Sequence, residues 1–149
     1  MQLEVSLRVP LYDTEDEDKV KLCFENLLDD LPEIKQIEEN KLTYLVAENL
    51  PVKTLERLFI YIRRNSILDS VRKCIIYYAT LDSVVINLNK QALFANKIAF
   101  ITEDSSSPLG NVQLIIKTSK PYEFKDWFAP KTDEGKEIQP RKFSEIFTL

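Results

Sequence analysis

The first residues of the chain alternate apolar and polar side chains with a period of two. Leu3, Val5, Leu7 and Val9 lie on one side of this pattern, and polar residues stand between them. Such a period predicts a β-strand with one buried face. Pro10 is expected to end the strand.

Three later stretches repeat apolar residues at the spacing of an amphipathic helix. The first is expected to begin at a capping box formed by Thr14 and Glu17. Pro51 suits the first turn of the second helix, which is predicted over residues 52–65. The third is predicted over residues 66–78.

Residues 84–100 look like the centre of the fold, because two apolar runs flank a short polar stretch. The pattern predicts a strand, one short helical turn and a second strand. Asn89 can cap the turn with its side chain, and Asn96 can close it in a left-handed conformation. The polar residues are then interpreted as the turn that fixes how two strands leave one helix.

Two further patterns predict strands. Residues 34–37 and 41–48 are expected to form a hairpin with Glu39 and Asn40 as its turn. Residues 112–116 also alternate, and Ile115 makes the second face of this strand apolar as well. A strand that is apolar on both sides is typical of a central position or an interface.

With 149 residues, of which 44% are hydrophobic, the chain is long enough for one core and short for two. We therefore expect a single domain over residues 1–149. A helix over residues 122–128 is expected to stop at Pro130. Residues 131–149 are expected to be a C-terminal extension that docks on the domain or is partly mobile.

Charge is distributed unevenly along the chain. The net charge is -4 and the isoelectric point is near 5.0, which argues against a surface coated in basic charge. Residues 1–50 are strongly acidic, whereas basic residues outnumber acidic ones in residues 51–100. The acidic run at residues 13–18 is interpreted as a solvated cap at the positive end of a helix dipole.

The sequence lacks residues that several classes of catalytic and binding site require. There is no histidine, so histidine bases and histidine-bearing zinc sites are excluded, and two glycines cannot form a glycine-rich phosphate cradle. Cys23 and Cys74 are expected to be buried apolar residues in a reducing cytoplasm. No signal peptide or membrane span is predicted. We expect a soluble protein that is not an enzyme, with no metal, no cofactor and no catalytic residues.

The helix over residues 52–65 carries the candidate nucleic-acid interface. Its outer face combines cations with Ile60 and Tyr61, a combination that suits phosphates and bases, although such cations are more typical of an ordinary solubilised face. A purely structural role for the polar turn is the alternative, with the Lys90 stem along the core edge and its ammonium in water. The candidate RNA-binding residues are Lys53, Arg57, Arg64, Lys90, Gln91 and Lys97.

Apolar residues outside the predicted core suggest an alternative, a structural or protein-interaction module that forms a homodimer without binding RNA. A third possibility, an enzyme that uses Lys90 and the polar residues around it, lacks a histidine or a carboxylate pair nearby in the sequence. The candidate interface residues are Ile60, Ile115, Phe143, Ile146 and Phe147.

Three segments give the chain a family resemblance. They are the opening strand with residues 14–16, the central Leu88-Asn89-Lys90-Gln91-Ala92, and the late Ser107-Pro108-Leu109-Gly110 with residues 126–132. With these segments the chain resembles an archaeal family of uncharacterised proteins that are often labelled RNA-binding. Members of that family look like the large-subunit ribosomal protein that holds the small ribosomal RNA.

This resemblance implies a fold but no reaction. It implies an α+β domain in which helices cover one side of an antiparallel sheet, in a ribosomal-protein-L-five-like or ferredoxin-like arrangement. It also implies a dimer, possible association with RNA or ribonucleoprotein, and no catalytic residues. Because function belongs to a site and not to an architecture, the fold alone does not establish RNA binding.

Overall fold

A computed structural model describes residues 3–28, 30, 32–78, 82–101 and 110–148, except for the side chains of residues 76–78. The late Ser107-Pro108-Leu109 of the family resemblance lies outside the described residues. The elements are β1 (Glu4–Leu11), α1 (Glu17–Leu27), β2 (Lys35–Glu39), β3 (Leu42–Leu50), α2 (Thr54–Arg64), α3 (Leu68–Tyr78), β4 (Ser83–Asn89), α4 (Lys90–Phe94), β5 (Asn111–Lys117), α5 (Pro121–Phe128), β6 (Thr132–Asp133), β7 (Lys136–Glu137) and a 3₁₀ helix (Phe143–Phe147).

A five-stranded antiparallel sheet in the order β2-β3-β1-β5-β4 forms the centre of the molecule. The alternation at the start of the chain explains the central position of β1, because Val5, Leu7 and Val9 are all at most 1% exposed. The predicted α+β class with an antiparallel sheet is therefore confirmed. The finer likeness to the ribosomal protein stays a prediction.

One core joins the sheet to the helices. On the sheet, Leu7 lies opposite Ala47 of β3 and Leu114 of β5, so that three strands present apolar side chains to the same layer. Phe24 of α1 and Leu58 of α2 complete that layer and are fully buried. Each such burial stabilises the fold by about 1.5–3 kcal/mol relative to an exposed side chain.

Local geometry differs from the sequence predictions at three places. Helix α1 is capped by Asp16 and not by Thr14, since the Asp16 carboxylate accepts from the Asp18 backbone N–H at 3.0 Å. The hairpin turn falls at Asn40 and Lys41, which have φ of 53° and 66°. Strand β1 continues through Pro10 to Leu11. Its ladder with β5 ends at Arg8, so Pro10 lies where β1 is paired on one side only.

The central segment is confirmed in its turn and only partly in its second strand. The Asn89 side chain accepts from the Ala92 N–H at 2.9 Å, and Asn96 has φ 57°, as expected for a left-handed closing residue. The predicted return strand is reduced to one bridge between Leu88 and Phe100. Helix α4 is five residues long and follows β4 directly, so the chain turns tightly against its own strand.

Residues 131–148 fold back onto the domain. The Trp127 indole donates to the Lys142 carbonyl at 2.9 Å, and Phe143 meets the Phe59 ring edge-on at 5.6 Å. Ile146 is 1% exposed and belongs to the core of its own chain. The prediction of Ile146 as an interface residue is therefore wrong, because the 3₁₀ helix turns this side chain inward.

Arg63 fixes the junction between α2 and the end of α5. Its guanidinium donates to the Phe128 and Trp127 carbonyls at 3.1 and 3.2 Å and pairs with Glu137 at 3.2 Å. Burial lowers the pKa of Arg63 and Glu137 opposes that shift. These bonds satisfy carbonyls at a helix C-terminus, which otherwise lack a partner.

Candidate functional site

The outer face of α2 forms a shallow concavity of about 370 Å³, the basic concavity. Its floor contains Tyr61 and Ile60, and cations stand around them as the sequence predicted. Ile60 is 39% exposed. The lining residues are Lys53, Glu56, Arg57, Ile60, Tyr61 and Arg64.

Two contacts hold the concavity in place. The Tyr61 hydroxyl donates to the Ile98 carbonyl at 2.9 Å. The Arg57 guanidinium donates to the Asn26 carbonyl, and the Asn26 amide donates to the Leu93 carbonyl at 2.7 Å. Helices α1, α2 and α4 are thereby connected through Asn26, so the floor and one cation of the concavity have fixed positions.

The other charged groups of the concavity are open to a ligand. Lys53 and Arg64 are exposed, and Glu56 is half-buried. Within the part of the chain that the structure describes, none of these three side chains has an ion pair or hydrogen bond. Lys97 is exposed and precedes Ile98, whose carbonyl accepts from the Tyr61 hydroxyl.

Lys90 does not join this surface. Its side chain is 0% exposed, and its ammonium donates to Glu15 at 2.6 Å and to the Pro10 carbonyl. The Tyr12 ring centroid is 5.5 Å from the ammonium. The prediction that Lys90 is an exposed RNA contact is therefore wrong, because the end of β1 and the following loop enclose it. Gln91, its neighbour, is exposed.

Glu15 is the second part of this buried pair, which we call the Lys90–Glu15 centre. Its side chain is 7% exposed, and it also accepts from the Tyr12 backbone N–H at 3.1 Å. The interpretation of residues 13–18 as a solvated cap is thus wrong for Glu15. Two charges removed from water are tolerated only when they are paired and further hydrogen-bonded, as they are here.

Both cysteines are buried and free, as the sequence predicted. Burial raises the pKa of Cys23 to about 12, with the charge of Lys90 opposing the shift and that of Glu15 adding to it. Burial also raises the pKa of Cys74, whose thiol donates to the Ile101 carbonyl at 2.9 Å. Both side chains are therefore neutral thiols near pH 7, and neither has the properties of a nucleophile.

The segments that carry the family resemblance meet at the Lys90–Glu15 centre. Residues 10–15 supply the carbonyl and the carboxylate, and α4 supplies the lysine. Gly110 approaches from the third segment, since a Cβ at this position would lie 2.6 Å from Cγ of Pro10. This convergence shows that these segments build an interior contact. No local pattern indicates this contact, because the partners are 75 and 80 residues apart in the chain.

The candidate interface residues occupy separate places. Ile60 lies in the basic concavity, and Ile115 is half-buried on β5, opposite Ser6 of β1. Phe143 is half-buried against the core, whereas Phe147 is 66% exposed. Phe143 and Phe147 contact each other edge-on, with ring centroids 6.3 Å apart, whereas Ile60 and Ile115 lie on other elements, α2 and β5.

Metal-binding clusters and membrane-spanning helices are absent from the described ranges. These residues contain no group of three or more potential metal ligands, and no helix among them is long and apolar enough to cross a membrane. The enzyme alternative depended on Lys90. Because its ammonium is buried and bonded to Glu15, a dissolved substrate does not contact it in this conformation.

Fold and surface define an α+β protein with an antiparallel sheet, one helical layer and an exposed basic concavity. The chain belongs to the family described as RNA binding, whose model matches residues 4–118. It is 35% identical over 136 residues to a UPF0201 protein of Thermococcus kodakarensis, covering 91% of this chain and 96% of the relative. A UPF0201 protein of Pyrobaculum arsenaticum is 36% identical over 138 residues, covering 90% and 94%.

Solved structures agree with this assignment. The crystal structure of a UPF0201 protein from Methanococcus jannaschii has a TM-score of 0.70 and 25% sequence identity, covering 91% of this chain and 99% of that chain. A second UPF0201 crystal structure has a TM-score of 0.65 at 24% identity and shows the same fold. The family of archaeal proteins expected from the sequence is thereby confirmed.

Proposed function

We propose that this protein binds RNA, alone or within a ribonucleoprotein, through the basic concavity of α2. The observation that carries the proposal is the placement of Lys53, Arg57 and Arg64 around Tyr61 and Ile60. Phosphates are bound by lysine and arginine, while unstacked bases pack on aromatic and apolar side chains. Lys97 and Gln91, which are both exposed, complete the proposed binding set.

The family description as RNA binding supports this proposal, and so does the uneven distribution of charge. A protein of net charge -4 repels RNA at long range, so a local cluster of cations has to supply the attraction. Lys90 is left out of the binding set because it is buried. The role is one of binding in the cytoplasm, with no reaction assigned.

Salt dependence tests the proposal. Retention of a fluorescent structured RNA is measured with the full chain between 50 and 200 mM salt. Each phosphate contact contributes a slope of about -0.7 to -0.9 in a plot of log affinity against log salt, so Lys53→Gln, Arg57→Gln and Arg64→Gln together should reduce the magnitude of the slope by about two to three.

The control replaces three exposed cations outside the concavity, with Lys41→Gln, Lys73→Gln and Lys131→Gln. This variant has the same net charge as the test variant and should keep most of the slope. Absence of RNA retention at low salt, or equal losses in both variants, would contradict the proposal.

A dimer without RNA binding remains the alternative proposal, favoured by the exposure of Ile60 and Phe147. If Ile60 lies at a dimer interface, a second chain covers the basic concavity. Sedimentation at micromolar concentration then gives twice the chain mass of 17.4 kDa, and Ile60→Glu gives the monomer. A monomeric wild-type mass counts against this alternative.

A further inference from the structure

Glu56 is the unexpected group of the basic concavity. Its carboxylate lies among Lys53, Arg57 and Arg64 and has no ion pair or hydrogen bond within the described part of the chain. A carboxylate repels phosphates, so in a surface that only bound the RNA backbone it would weaken binding. Its position suits a ligand group that donates hydrogen bonds.

The hydrogen-bonding edges of the bases differ in what they offer a carboxylate. Guanine has two neighbouring donors on its Watson–Crick edge, N1–H and the N2 amino group. Adenine and cytosine have one amino group beside a ring-nitrogen acceptor, and uracil has one N–H between two carbonyls. Because an ionised carboxylate only accepts, guanine alone can bond both oxygens of Glu56.

The size of the site indicates an unpaired base. A volume of about 370 Å³ lies near the lower end of the range for small-ligand pockets, roughly 300–1,000 Å³, and suits one nucleotide. A base within a duplex has its Watson–Crick edge occupied, whereas single-stranded RNA can turn that edge outward. Tyr61 and Ile60 provide the apolar surface against which such a base packs.

The flanking cations fit the strand on either side of that base. Lys53, the residue before α2, and Arg64, its last residue, are 11 positions apart, which is roughly 16 Å at a helical rise of about 1.5 Å per residue. Glu56 stands between them along the helix. The two cations are therefore too far apart for one phosphate and are placed for separate phosphates of the strand, one on each side of the bound nucleotide.

We infer that the basic concavity binds one unpaired guanine of a single-stranded RNA, with the carboxylate of Glu56 accepting from guanine N1–H and N2–H. Lys53 and Arg64 bind the neighbouring phosphates. This inference rests on the proposed function and assigns it a substrate class. It makes Glu56 a specificity-determining residue, while the cations supply affinity.

The test uses fluorescently labelled adenosine nonamers with guanosine, inosine or uridine at the central position, and the full chain. A well-formed bidentate contact discriminates by about five- to 150-fold, so the guanosine strand should bind more tightly than the uridine strand by a factor in that range. Inosine keeps N1–H and lacks the amino group, so its strand should bind with intermediate affinity.

Glu56→Gln should remove the preference for guanosine and leave the affinity for the uridine strand equal or higher, because a repulsive charge is lost. Glu123→Gln, at an exposed carboxylate of α5, is the matched control and should keep the preference. Equal affinities of the wild-type protein for the three strands, or a preference that survives Glu56→Gln, would overturn the inference and leave RNA binding standing. Binding to none of the strands, and to no structured RNA, would overturn both.

Discussion

Two regions of the molecule collect positive charge, and they use it in opposite ways. In the basic concavity, Lys53 and Arg64 extend into solvent without a partner in the described residues. In the Lys90–Glu15 centre, the lysine is 0% exposed and its ammonium is 2.6 Å from a carboxylate. In each region a lysine lies at the start of a helix, Lys53 at α2 and Lys90 at α4. Only the partner brought by the fold distinguishes a cation that can bind a ligand from one that holds the interior.

The difference has an energetic consequence. An exposed cation changes the stability of a fold little when it is removed, whereas a buried pair costs several kcal/mol when one member is left alone. Measurements of stability and of binding should therefore distinguish the two regions. Changes at the Lys90–Glu15 centre should affect folding, and changes in the concavity should affect only binding.

The largest effect is expected for Lys90→Met. The substitution keeps most of the side-chain volume and leaves the Glu15 carboxylate buried without its cation. We expect a loss of about 3–5 kcal/mol in the free energy of unfolding, measured with urea. Lys97→Met, on the exposed end of the same segment, should change stability by less than about 0.5 kcal/mol.

The double variant Lys90→Met with Glu15→Gln sharpens this result. Removing both charges relieves the unpaired carboxylate, so the double variant should be less destabilised than the sum of the two single variants, with a coupling of about 1–3 kcal/mol. Strict additivity would mean that the two residues do not stabilise the fold as a pair.

A smaller effect is expected for Gly110→Ala. Gly110 has φ 80°, and a Cβ there would lie 2.6 Å from the Pro10 ring beside the Lys90–Glu15 centre. Backbone strain and this collision should together cost about 2–3 kcal/mol. Gly135 has φ 81° with nothing within 4 Å of its Cβ position, so Gly135→Ala measures the backbone part alone, about 1 kcal/mol. Equal losses would show that the contact with Pro10 is unimportant.

The fold could be predicted where a local pattern carried the information. Alternation placed Val5 and Leu7 in a buried strand, and helical spacing placed Leu58 in the core. The turn at Asn89 was predicted because its cap is made within three residues. Local rules identify which residues are buried and where elements turn, since the interactions involved join near neighbours.

The candidate site was predicted only on α2, where one helix brings the residues together. The Lys90–Glu15 centre could not be predicted, because a lysine after a strand has the same local pattern whether or not a carboxylate lies across the fold. The exposed position expected for Ile146 failed for a related reason. Its burial depends on how residues 131–148 pack against Trp127. The spacing of apolar residues along the chain does not predict this packing.

The pH dependence of stability tests the burial of Cys23. The pKa of Cys23 is about 12 in the folded protein against 9.0 for an ordinary thiol, because burial disfavours the thiolate. Between these values the folded protein keeps a proton that the unfolded chain releases, so this stabilisation is full below pH 9 and lost as the pH rises toward 12. At pH 10.5 the loss from Cys23 should be roughly 2 kcal/mol.

The measurement is urea unfolding at pH 8 and at pH 10.5. The free energy of unfolding of Cys23→Ala should fall less between these two pH values than that of the wild type, and equal decreases would contradict the assignment.

The smallest effect is expected in the basic concavity. Because Lys53 and Arg64 have no partner in the described chain, Lys53→Gln with Arg64→Gln should change the free energy of unfolding by less than about 0.5 kcal/mol. Arg57→Gln should cost slightly more, about 0.5–1.5 kcal/mol, since its guanidinium donates to the Asn26 carbonyl between α1 and α2. Urea unfolding of both variants is measured beside their RNA affinity. A loss of affinity without a loss of stability would assign the two cations to binding, and a stability loss of several kcal/mol would mean that this surface, like the Lys90–Glu15 centre, holds the fold together.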